Sequence, residues 1–120
     1  MQLTEDQIAA IAKAPSLRRQ FSRDPEAMRL MCADPASLTP DERGARYELA
    51  FDVLTNSAPL VERYTAVQDL GPYPVVIVGV PGAYFVDALD YDRRGVYSSL
   101  EEARLVVSCD FGEFITSGPE

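Results

Sequence analysis

Apolar residues recur at helical spacing through the first half of the chain, and each stretch carries its own start signal. Ile8, Ile11 and Ala12 follow Thr4, Glu5 and Asp6, a capping residue with acids in the first turn, so a helix is predicted over about 5–13. Ala14-Pro15 stops it. Ser16 caps a short turn carrying Leu17 and Phe21, and Asp24-Pro25-Glu26 starts a helix with Met28, Leu30 and Met31 near its core side, ended by Asp34-Pro35. Thr39-Pro40-Asp41-Glu42 is a capping box with proline at the first helical position, and it predicts a long helix over about 40–55. Tyr47, Ala50, Phe51 and Leu54 form its apolar face, and Asn56 suits a left-handed stop. Pro59 is expected to open one more helix through Val61, Tyr64 and Val67, ending before Gly71.

The period changes after Gly71-Pro72-Tyr73-Pro74. Val75 to Val80 is β-branched except at Gly79, which suggests a strand covered on both faces. Pro81-Gly82 makes a tight turn, and Ala83 to Leu89 returns as a second strand. Val96-Tyr97 reads as a third, short strand. Ser99 and Glu102 fit a second capping box before a helix with Leu100, Ala103, Val106 and Val107 in its stripe, leading toward Phe111 and Phe114. Residues 116–120 read as a polar tail.

Together these elements predict an α+β fold: N-terminal helices, over about 4–70, packed on a small antiparallel β-hairpin or meander with a C-terminal helix, over about 73–115. The helices have no other sheet to lie on and the hairpin needs cover on its second face, so residues 1–120 are expected to form a single domain. A 47% hydrophobic content supports a real core at this length. No apolar run approaches a membrane span, and the acidic amino terminus is unlike an export signal, so the expected location is the cytoplasm. Cys32 and Cys109 are too few for a disulfide framework and are expected as buried free thiols.

Charge narrows the partners. The net charge is −8, and the second part of the chain holds most of it: residues 69–120 carry nine acids and three bases, against ten and eight in residues 1–68. Such a field repels nucleic acid and anionic lipid and steers basic protein surfaces toward it. On the helical half, Arg18, Arg19, Arg23 and Arg29 are expected to pair with Asp24 and Glu26. The chain contains no histidine, which removes Ser-His-Asp and Cys-His catalysis and histidine metal ligation. A glycine-rich phosphate loop and CxxC pairs are also missing, so no cofactor and no catalytic residue is expected.

The most legible chemistry lies between Asp87 and Glu102. Asp90, Asp92, Gly95, Ser98 and Glu101 match the calcium-loop template at positions 1, 3, 6, 9 and 12. Arg94 stands at position 5, a cation where an oxygen ligand belongs, and a strand rather than a helix precedes Asp90. The same residues read without an ion as a turn: the aspartates accept backbone donors, Gly95 supplies a positive φ, and Ser99 starts the next helix. A general acid–base pair among these carboxylates is a further reading. The expected partner-binding surface comprises Asp87, Asp90, Tyr91, Asp92, Tyr97 and Glu101, carboxylates with a tyrosine of hot-spot character, and metal ligands are not expected.

Leu17 to Ala27, with Leu38-Thr39-Pro40-Asp41-Glu42-Arg43, resembles the helical modules of the small subunit of extradiol ring-cleavage dioxygenases, over about a quarter of the chain. The strand-turn-strand-helix ending in Ser-Leu-Glu-Glu-Ala is similar to the end of many small bacterial immunity or accessory proteins. The expected function is that of a non-enzymatic bacterial or phage protein binding a partner with a basic surface, as an immunity protein, antitoxin or inhibitor does. The alternatives are a small-ligand or calcium-binding domain and an accessory subunit of an enzyme.

Overall fold

A computed structural model describes residues 3–69, 71–88 and 95–120 and shows an α+β fold. Helix α1 is Glu5–Lys13, α2 is Pro15–Arg18, α3 is Pro25–Cys32 and α4 is Pro40–Ser57. The sheet contains β1, Leu60–Gln68; β2, Gly71–Val80; β3, Ala83–Ala88; β4, Gly95–Tyr97; and β5, Ile115–Ser117, with α5, Leu100–Phe111, between the last two. Strand order is β4-β3-β2-β1-β5, antiparallel throughout.

Local chemistry explains the helix starts. Thr4 and Thr39 each accept from the N3 amide while the N3 side chain, Gln7 or Glu42, returns a bond to the cap amide. Asp24 accepts from the amides of Glu26 and Ala27, and Ser99 from that of Glu102. The long helix runs past Asn56 and stops at Ala58 with ordinary extended geometry, so the expected left-handed stop is not used.

Residues 60–68 are a strand, not the expected helix. Val61, Tyr64 and Val67 satisfy a helical stripe, but the segment is rich in β-branched residues and has β2 as a full-length partner, from Leu60 opposite Val78 to Gln68 opposite Gly71. A bulge lies between Leu60 and Glu62. The expected polar tail is also corrected: Ile115 and Ser117 pair with Ala66 and Thr65, and Arg63 and Glu120 exchange backbone hydrogen bonds.

The sheet separates two apolar clusters. On one face Phe85, Ala83 and Val80 meet Ile8, Ile11, Leu17, Phe21, Met31, Ala50 and Leu54 of the amino-terminal helices, and the Phe51 ring packs edge-on against Phe85. On the other, Tyr64, Ala66, Val75, Ile77, Val86 and Ala88 meet Ala103, Val107 and Phe111 of α5. Period-two alternation therefore sends neighbouring residues of β2 and β3 into different cores. Gln7, buried, ties α1 to the β4 edge by donating to the Val96 carbonyl and the Ser98 hydroxyl.

Two glycines earn their places. Gly82 follows Pro81 in the β2–β3 turn with φ at +95°, which favours glycine. Gly95 does not have the expected positive φ; instead the Tyr97 phenol occupies the space a Cβ on Gly95 would need.

Candidate functional site

Of the six residues expected to bind a partner, Asp90, Tyr91 and Asp92 lie outside the described residues, as does Arg94. The other three do not share one surface. Asp87 is half-buried on β3 and, by alternation with Val86 and Ala88, points away from α5. Tyr97 is half-buried on β4, opposite Tyr84, and packs into the α5-side cluster. Its phenol pKa is raised, first by burial and then by the charge of Asp110. Glu101 is exposed in the first turn of α5.

Helix α5 gathers the described acidic residues of the carboxy-terminal half most densely. Ala103, Val107 and Phe111 form its buried line, so at 100° per residue the opposite line runs through Glu101, Leu105 and Cys109, spaced four apart. All three are exposed, with Glu102 beside them and exposed Glu113 just beyond the helix end. The acids of the first turn have a structural reason, since they complement the helix dipole. Leu105 has none: it is 63% exposed, more than any other large apolar side chain described. Single exposed leucines are ordinary on protein surfaces. This one is set on a rigid helix between carboxylates, where an apolar anchor has a charged rim. Cys109 is exposed because it lies on this outer line, and Cys32 is exposed at the end of α3, beside rather than on the Ala27, Leu30 and Met31 line, so neither is the buried thiol expected.

Two ionic clusters were not foreseen. Arg46 is 3% exposed in the middle of α4. Its Nη1 donates to the carbonyls of Leu30 and Met31 at 2.6 and 2.7 Å, and to that of Ala33 at 3.4 Å. Nη2 donates to the Glu5 carboxylate at 3.0 Å. One guanidinium thus satisfies orphan carbonyls at the end of α3 and joins α1 to α4. The signal was present: Arg46 stands at i−4 and i−8 from Ala50 and Leu54, on the buried line.

The second cluster locks α5 to β1. Glu62 is 7% exposed and accepts from Tyr64 at 2.6 Å and from Arg104 Nε at 2.7 Å, with a further ion pair from Arg104 Nη2. The Arg104 bond, reinforced by Tyr64, holds the Glu62 carboxyl below its usual range against burial. Burial, with the Glu62 bond adding, pushes the Tyr64 phenol up to about 12. Both Glu62 carboxylate oxygens are engaged within the cluster, which ties α5 to β1. Among the described residues no group of three or more acids or cysteines is placed to hold a metal ion.

The arginines of the helical half pair differently from expectation. Arg29 binds Glu26 and Glu42, Asp24 is engaged as a helix cap, and exposed Arg18, Arg19 and Arg23 form no ion pair among the described residues. No described helix is long and apolar enough to cross a membrane. Compared with protein-family models, curated proteins and solved structures, the chain matches none.

Proposed function

We propose that this chain is a non-enzymatic protein-binding domain that docks the outer face of α5 onto a basic protein surface. The observation that carries this reading is Leu105, an exposed anchor on a helix held by packing and by the Glu62–Arg104 pair, framed by Glu101, Glu102 and Glu113. Apolar anchors inside a charged rim give an interface affinity, while the rim sets on-rate and partner sign. Of the carboxylates that fit the calcium-loop template, Glu101 belongs to this rim, and Tyr97 supports the helix from beneath.

The test is affinity capture from the source cell with the wild-type chain, Leu105→Asp and Glu101→Arg/Glu102→Arg. A partner retained by wild type and lost with both variants supports the reading, provided circular dichroism shows that the variants fold. Capture that is indifferent to all three substitutions sinks it. Calorimetric titration with calcium addresses the ion-binding alternative, and heat of binding at submillimolar ion would displace the protein-docking reading.

A further inference from the structure

On the opposite side of the sheet from α5, a groove of about 420 Å³ runs between α1 and the C-terminal end of α3. Buried Ala12 and Met31 form its floor, and half-buried Ala9, Ala33 and Pro35 supply its accessible apolar surface. Its charge is polarised along α1. Glu5 and Asp6 stand at the first turn, where the buried Arg46 already engages Glu5. Lys13 in the last turn stands about 10 Å from them along α1, and Arg18 of α2 also lines the groove. Exposed Arg19 and Arg23 follow in the adjoining turn, and no described carboxylate pairs with any of these four cations. In a chain of net charge −8 this is a local reversal of sign.

We infer that this groove receives an acidic peptide segment of a protein partner, with its apolar side chains on Ala9, Ala33 and Pro35 and its carboxylates at Lys13 and Arg18. Charge complementarity selects the sign of the occupant, and the apolar floor selects a peptide over a small anion. Beside Lys13 the last turn of α1 exposes carbonyls, and in the one-turn α2 that follows Pro15 has no N–H while the Leu17 and Arg18 amides bond to the Ala14 carbonyl, so the backbone N–H cradle that phosphate takes at a helix N-terminus is lacking. The overall negative field disfavours a nucleic acid at the same place. This site shares no residue with the α5 face, so either can fail without the other.

The experiment is a heteronuclear NMR titration of the full chain with a short, end-capped peptide of alternating glutamate and leucine. The comparison probes are its lysine–leucine counterpart and inorganic phosphate. Expected are saturable shifts centred on the amides of Ala9, Lys13, Arg18 and Cys32 with the acidic peptide alone, weakening as salt rises. Lys13→Glu/Arg18→Glu should weaken binding roughly tenfold, the combined worth of two exposed ion pairs. The milder Lys13→Gln/Arg18→Gln pair should give an intermediate loss, and thermal melts confirm that both variants fold. Shifts centred elsewhere, equal shifts with phosphate, unchanged affinity in the reversal variant, or the same shifts appearing on concentrating the chain without peptide would each overturn the assignment. The last would hand the groove to a second copy.

Discussion

Replacing Arg46 with methionine isolates the contribution of a buried cation to the helical half. Methionine keeps the apolar stem and removes the guanidinium, so the carbonyls of Leu30 and Met31 lose donors at 2.6 and 2.7 Å while remaining in a buried setting. A hydrogen bond from a charged donor contributes about 1.5–3 kcal/mol, and a stranded buried carbonyl costs about 1–3 kcal/mol. Those two descriptions overlap, and Met recovers some apolar packing, which leaves a net expectation of roughly 3–4 kcal/mol of destabilisation. Glu5, by contrast, is half exposed, so its pair with Arg46 is solvent-screened and Glu5→Gln should cost less than about 1 kcal/mol. Urea unfolding followed by circular dichroism measures both. At this chain length the Arg46 variant should melt roughly 10–20 °C below wild type. If Arg46→Met lies within about 1 kcal/mol of wild type, or if Glu5→Gln is equally damaging, the guanidinium is not capping α3 as described.

Three other measurements bear on the same structure. Because the Glu62 carboxyl sits below its ordinary value near 4.5, its pairing with Arg104 stabilises the fold above that value and is lost as pH falls through the depressed folded value. Melting curves should therefore show the penalty of Glu62→Gln at neutral pH shrinking under acid; a penalty that grows instead contradicts the assignment. Gly95→Ala should destabilise by about 1–3 kcal/mol through collision with the Tyr97 ring, and Tyr97→Leu in the same chain should recover most of it. Absence of coupling between the two would place the ring elsewhere. Native-state alkylation should modify both Cys32 and Cys109 without denaturant, since both are exposed, and a thiol that reacts only after unfolding would contradict its position.

Legibility in the sequence followed locality. Thr4, Asp24, Thr39 and Ser99 announce their helices because a cap is decided within four residues, and all four act as caps. The Val75–Val80 part of β2 and the Pro81-Gly82 turn were readable for the same reason, whereas Gly71 to Pro74, expected as a break, join β2 through their pairing with β1. β1 was not: Val61, Tyr64 and Val67 satisfy the spacing of a helix as well as a strand, and what decides between them is the distant partner β2. β5 spans only Ile115–Ser117, too short for any periodicity, and gains its identity from β1. On the functional side, Glu101 was legible as an exposed carboxylate, but Leu105 was hidden inside an apolar run whose phase only the packing of α5 reveals. Arg46 escaped because an arginine in a helix reads as solvent-facing until the carbonyls it must cap are placed beside it.

The alternation of β2 and β3 makes one pair of ribbons the common wall of two rooms. Val75, Ile77 and Val86 furnish the room under α5, while Val80 and Phe85 furnish the room under the helices. The two rooms therefore share backbone while drawing on different side chains of the same two strands. A small volume change at Val86 becomes a way to adjust the α5 side while leaving the groove nearly untouched, and Phe85, the next residue, does the reverse.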